Sequence, residues 1–141
     1  MKLIVDASVI VKWLFNDPER EEYTSLATDL MRAVIDEDAT AVQPFHWLLE
    51  VAAVIARETP ERAGADIVLL RALELPVKND TSIFDRACAL AIDLQHHLFD
   101  TLYHAVALEH DAMLVTADDR YYRKAAGLPG IMHLRDWRAP F

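Results

Sequence analysis

The 141-residue chain has one cysteine, three glycines and no excess of basic residues. It also lacks any apolar run long enough to cross a bilayer. A lone thiol, Cys88, cannot close an internal disulfide, which suits a reducing cytoplasm; between Ala87 and Ala89 it reads as an inert core residue. Three glycines against 53% hydrophobic residues exclude collagen-like and disordered chains and favour an ordered, helix-rich one. Met1-Lys2 leads into only three apolar residues, too short for a secretory signal. With 23 acidic and 14 basic residues, the net charge of −9 excludes the broadly basic surface of a simple nucleic-acid binder. Solubility is its default meaning. Otherwise the acids hold a cation or face a basic protein partner.

What is present has the length of one domain spanning 1–141. Leu3-Ile4-Val5 is a short apolar run that stops at Asp6, so a carboxylate stands where a buried strand ends. Ligands gather at such ends in open parallel α/β sheets. Asp6 or Ser8 could equally cap the helix expected from about Val9 to Phe15. Asn16-Asp17-Pro18-Glu19 has the form of a helix start, and that helix reaches Ile35. Thr40-Ala41-Val42 reads as a second strand stopped by Pro44. Phe45 to Ala56 is apolar almost all round, as in a helix buried on most sides. Thr59-Pro60-Glu61 starts another helix, Leu75-Pro76-Val77 is a short strand, and a further helix from Ile83 to Gln95 turns Phe84, Ala87, Cys88 and Ala91 inward. Strand Ala112 to Val115 and an edge strand Ile131 to Leu134 complete an order that predicts an α/β fold with a parallel sheet of about four to five strands wrapped by helices.

Within this frame Glu50 is the only acid of its helix, flanked by Trp47, Val51 and Val54. A carboxylate among apolar neighbours needs an arginine, a metal or a proton. His96-His97 reads as an exposed helix end, because adjacent helical side chains diverge by about 100°. Asp100 opens an apolar helix, either as its cap or as a site residue, and His104 on that helix reads as a packed core histidine. Thr116-Ala117-Asp118-Asp119 repeats the pattern at Asp6: strand, small polar residue, carboxylate, helix.

If strand 1 is central, Asp6, Glu50, Asp100 and Asp118 can converge. Two carboxylates about 4 Å apart repel by roughly 4 kcal/mol at an effective dielectric near 20, so the cluster needs a cation. Oxygen ligands without suitably spaced His or Cys point to Mg²⁺ or Mn²⁺, which activate water for attack on a phosphodiester.

The pieces Leu3-Ile4-Val5-Asp6-Ala7-Ser8-Val9, Leu49-Glu50-Val51, Phe99-Asp100 through His104 to Leu108, and Thr116-Ala117-Asp118-Asp119-Arg120 stand in the order and spacing of a known family. The chain resembles PIN-domain ribonucleases of the VapC toxin type, partners of VapB antitoxins. The resemblance implies a three-layer α/β/α fold with Asp6, Glu50, Asp100 and Asp118 in an acidic centre that binds Mg²⁺, and Thr116 as the supporting hydroxyl. It further implies cleavage of tRNA or rRNA by metal-activated water to 5′-phosphate and 3′-hydroxyl ends, a homodimer, and inhibition by an antitoxin segment. Ala53 departs from the pattern, which often has Asn there.

A haloacid-dehalogenase-type enzyme needs an acid where Ser8 stands, and a receiver domain needs paired acids after strand 1. The competing class is a non-catalytic PIN-like interaction module, against which all four acids speak. Lys12, Arg120, Arg123 and Lys124 are near enough to the centre in sequence to meet RNA phosphates.

Overall fold

The computed structural model describes residues 1–15, 17, 19 and 22–140. The described elements run β1 (Lys2–Val5), α1 (Ala7–Phe15), α2 (Thr24–Ile35), β2 (Thr40–Ala41), β3 (Gln43–Pro44), α3 (Trp47–Glu58), α4 (Ala63–Ala72), β4 (Val77–Lys78), α5 (Thr81–Leu94), α6 (Leu98–Glu109), β5 (Met113–Thr116), α7 (Asp119–Ala125) and β6 (Ile131–His133), then a 3₁₀ turn, Leu134–Asp136. The central sheet is wholly parallel in the order β2-β1-β5-β6, with Val5 opposite Val115 and Thr116 opposite His133. Helices wrap it as expected for the three-layer α/β/α class. Leu3, Ile4, Val5, Leu114 and Val115 have almost no exposed surface, which is why these short apolar runs become inner strands.

Helix α6 is deeply enclosed over most of its length. Every residue from Thr101 to Ala107 is buried, and the helix packs on β1, β3, β5 and α5. His104 sits in this core as expected: Nε2–H donates to the Pro129 carbonyl (2.8 Å) and Nδ1 accepts from the Tyr121 hydroxyl (2.8 Å). Burial holds its pKa below the usual histidine value, so it stays neutral.

Several expectations change. Pro44 does not end the strand region; it pairs with Lys78 in a second parallel sheet of β3 and β4. Helix α3 is not buried on most sides, for Leu49 is 76% exposed and neighbouring Phe45 is exposed too. Thr59 closes α3, its hydroxyl bonding to the Ile55 carbonyl (3.2 Å), and α4 begins only at Ala63. On α5 the inward positions are Ile83, Ala87 and Leu90, which leaves Phe84 and Cys88 exposed. The helix start expected at Asn16 to Glu19 falls partly outside the described residues, and α2 begins at Thr24. Among the described residues no helix is long and apolar enough to cross a membrane.

Candidate active site

Two neighbouring strand ends build the centre. The Asp6 amide donates to the Val115 carbonyl (3.0 Å), carrying the β1–β5 ladder to the residue where β1 becomes α1. On the other edge β2 has already ended, and the fully buried Gln43 side chain takes its place. Gln43 Oε1 accepts from the Val5 amide and its Nε2 donates to the Val5 carbonyl, both at 2.8 Å. A side-chain amide thus completes the ladder one residue before Asp6. Nothing in the apolar pattern pointed to Gln43.

Asp6 Oδ2 accepts from the Ser8 hydroxyl, from Thr116 Oγ1 (3.1 Å) and, at a longer 3.4 Å, from the Ser8 amide. Ser8 Oγ also accepts from the Ala117 amide (2.9 Å), and Thr116 Oγ1 from the Asp118 amide (3.0 Å). Two hydroxyls therefore lock the turns after β1 and β5 together. Asp118 caps α7 through Oδ1, which accepts from the Tyr121 amide (3.1 Å). Capping and a role in the centre are compatible, since a carboxylate has a second oxygen.

Glu50 and Asp100 each stand in the first turn of a helix, α3 and α6, and each has a histidine four residues before it. His46 Nε2 lies 2.9 Å from Glu50 Oε2, but its proton is directed to the Phe99 carbonyl (2.8 Å), leaving Glu50 Oε2 buried without a hydrogen bond. The partner at Glu50 is therefore a histidine, not an arginine. His96 Nε2 lies 2.7 Å from Asp100 Oδ2, and its side chain is only 3% exposed. His96 is thus no exposed helix end. Helix α5 stops at Leu94, Gln95 takes a left-handed conformation (φ 50°), and the reversed chain turns His96 inward and leaves His97 exposed. The spacing from His96 to Asp100 was the available signal.

Burial raises the Asp6 carboxyl to about 7, with the charges of Asp100 and Glu50 adding to the rise against the Ser8 and Thr116 hydrogen bonds. Burial also raises Asp100, opposed by His96 and assisted by Glu50 and Asp118. Tyr103, fully buried, has its pKa pushed up by burial, then by the charges of Asp6, Glu50 and Asp100, and by a side-chain hydrogen bond to Glu50. The four sequence-expected acids and Thr116 and Ser8 are therefore brought together. These oxygen donors fit a hard divalent cation and its bound water, which would also relieve the mutual repulsion.

The basic residues separate. Lys12 is buried at 6% exposure, so it does not lie on an open surface as expected. Arg120 lines a cleft of about 310 Å³ with Gln95, His96 and His97. Arg123 lines another with Tyr23, Tyr122 and Arg135, and Lys124 Nζ donates to the Gln95 carbonyl (2.7 Å). Beside Glu50, an apolar cleft of about 250 Å³ is lined by His46, Leu49, Ala53 and Phe99.

Fold and centre together define a class: a parallel α/β domain with an acidic centre at the carboxyl ends of its inner strands. The PIN domain family model matches residues 3–127, and the chain belongs to that family. Similar solved structures include a toxin–antitoxin complex from Klebsiella pneumoniae (19% identity, covering 94% of this chain and 97% of that one, TM-score 0.65). VapBC-1 from nontypeable Haemophilus influenzae is 17% identical over 96% of this chain and 100% of that one, with a TM-score of 0.67. VapBC2 from Rickettsia felis, bound to a DNA fragment from its promoter, is 13% identical over 98% and 100% (TM-score 0.68). A search of curated proteins found no match.

Proposed function

We propose that the chain is a metal-dependent endoribonuclease, the toxin of a VapBC-type pair, cutting structured RNA such as tRNA or rRNA. The convergence of Asp6, Glu50, Asp100 and Asp118 at the ends of β1 and β5 and the starts of α3 and α6 carries the proposal, supported by the charges of Asp100 and Glu50 acting on buried Asp6 and those of Glu50 and Asp118 acting on Asp100. These four acids would hold Mg²⁺ or Mn²⁺, which when bound lowers the pKa of a water and stabilises charge developing on the phosphodiester. Ser8 and Thr116 fix Asp6 Oδ2 and so set the direction of its other oxygen. Asp118, anchored to α7 through Oδ1, is held the same way. In-line attack by water leaves 5′-phosphate and 3′-hydroxyl ends. Exposed Arg120, beside His96, is placed to meet a backbone phosphate, with Arg123 and Lys124 farther along α7.

The apolar cleft at Leu49, Ala53 and Phe99 opens beside Glu50, and Phe45 and Phe84 extend the exposed apolar surface. An antitoxin segment seated there would cover both the apolar surface and the centre, and a basic segment would suit the charge of −9. The toxin–antitoxin structures of like fold support such a partner, and the family resemblance implies a homodimer.

The test is incubation of purified protein with total cellular RNA in Mg²⁺, Mn²⁺ or EDTA, with product ends mapped. Cuts at one or a few sites, dependent on metal and carrying 5′-phosphates, are expected. Folded, metal-bound protein that cuts nothing would turn the assignment toward a non-catalytic interaction module.

A further inference from the structure

We propose that Tyr23, Asp119, Arg123 and Arg135 form a subsite for one unpaired guanine of the RNA, set one strand along the sheet edge from the acidic centre. The inference rests on the RNA-cleaving reading of that centre and adds which base the chain selects beside the cut.

The sheet order places the subsite. The ends of β1 and β5 build the acidic centre, and β6 is the next strand, with Thr116 opposite His133. Neighbouring strands lie about 4.8 Å apart, so the end of β6 is within reach of RNA lying across the centre. A cleft of about 510 Å³ opens there, lined by Tyr23, Asp119, Tyr122, Arg123, Ala126 and Arg135. Asp119 directly follows Asp118, so one helix start serves both the centre and the cleft.

The buried His133 ring holds the cleft's carboxylate in place. Its Nδ1 accepts from the Arg135 amide (3.1 Å), so the proton is on Nε2, which donates to Asp119 Oδ1 (2.8 Å). That bond does not use Oδ2, and the Asp119 side chain is 64% exposed. Tyr122 and Tyr23 each stand edge-on to the same imidazole, at centroid distances of 5.4 and 5.8 Å. The Arg135 guanidinium lies over the Tyr122 ring (5.3 Å to the centroid). Tyr23 is 39% exposed and takes a left-handed conformation (φ 61°), uncommon for a bulky residue, without capping α2 through its side chain. No cap bond offsets that strain, and what Tyr23 supplies is an aromatic ring at the cleft.

The donors and acceptors select the base. Unpaired RNA bases are read by stacking on aromatic rings and guanidinium planes and by hydrogen bonds to their edges. A carboxylate only accepts, and guanine offers it two adjacent donors, N1–H and N2–H. Adenine and cytosine offer one exocyclic amine, and uracil one ring N–H. Guanine also presents O6 and N7, the acceptor pair that arginine engages bidentately. Arg123 stands four residues after Asp119 on the same face of α7, placed to make that pair. A site for backbone phosphate alone would not include Asp119, whose charge repels phosphate.

The experiment measures equilibrium binding of fluorescein-labelled RNA octamers to the full chain in EDTA, so that no metal-dependent cutting intervenes. The octamers are oligouridine with one central guanine, adenine or inosine, and the proteins are wild type, Asp119→Asn and Tyr23→Leu. Asparagine keeps an acceptor for His133 and loses the second carboxylate oxygen. Wild type is expected to bind the guanine octamer about tenfold tighter than the adenine one, with inosine, which lacks the N2 amine, in between. In Asp119→Asn the advantage of guanine falls to within about twofold. Tyr23→Leu weakens all three octamers about fivefold and keeps their order. Equal binding of the three by wild type, binding of none, or a guanine preference that survives Asp119→Asn would overturn the subsite. Should Asp119→Asn not fold, the comparison of guanine, inosine and adenine in wild type decides alone. Cleavage of total RNA is scored separately. Specific cuts without guanine-selective binding would leave the nuclease and remove this subsite, whereas guanine-selective binding without cleavage would keep the subsite and remove the nuclease.

Discussion

Helices α3 and α6 look like twins in the sequence: each has 12 residues, mostly apolar, with an acid in the first turn and a histidine one turn before it. In the fold they part. Helix α6 is enclosed by β1, β3, β5 and α5 through Thr101–Ala107, whereas α3 buries only Trp47, Val51 and Ile55 and leaves Leu49 exposed. Apolar composition therefore says that a helix will be covered and not by what. Helix α6 is covered by its own chain, and the surface around Leu49 is the part that the proposed partner would cover.

Four results would break or sharpen that contrast. The proposed centre draws on both first-turn acids, so Asp100→Asn and Glu50→Gln should each lower RNA cleavage on the order of 10³-fold, read as initial rates at saturating metal. Retained activity in either would remove that helix from the site. Asp6 feels both helices, and its raised pKa has a consequence for stability. The folded chain keeps a proton on Asp6 that the unfolded chain releases near pH 3.8, so the contribution of Asp6 is most favourable below that pH and falls as pH rises to about 7. The loss for metal-free protein amounts to about 4 kcal/mol across that window, and denaturant titrations at several pH values should show it, flattened in Asp6→Asn. Next, truncation inside α6 should cost far more than on the face of α3: Leu102→Ala about 3 kcal/mol, Leu49→Ala within about 0.5 kcal/mol. A large loss for Leu49→Ala in the isolated chain would mean that its surface is already covered. The smallest effect is electrostatic. Asp100→Asn should lower the Asp6 pKa more than Glu50→Gln does, because Asp100 exerts the stronger charge effect on Asp6, and carbon-detected NMR titration of Asp6 would rank the two.

The parts legible in the sequence were those in which one residue type at one place has few uses. A carboxylate directly after a buried apolar run, as at Asp6, or two residues beyond its strand, as at Asp118, reads as a strand-end acid, and the parallel β1–β5 pairing brings those two ends side by side. Glu50 and Asp100 stood out as acids in apolar helices. What escaped depended on contacts made across the chain. Gln43 completes the edge of β1 through a side chain 38 residues away, and no local pattern encodes that. His96 escaped because the helix was carried to Gln95, one residue too far, whereas the left-handed Gln95 turns the ring into the centre. Hydrophobicity put Cys88 in the core and the helix of Leu49 under cover on most sides, although one-sided packing of α5 and α3 leaves both residues outside.

The most direct test of the central claim compares wild type with Asp6→Asn in one preparation, measuring metal-free stability at pH 8 and metal-dependent cleavage of total RNA. The substitution removes the buried charge and keeps the shape, so the account predicts a protein at least as stable as wild type that no longer cuts. Full nuclease activity in pure, folded Asp6→Asn would contradict it.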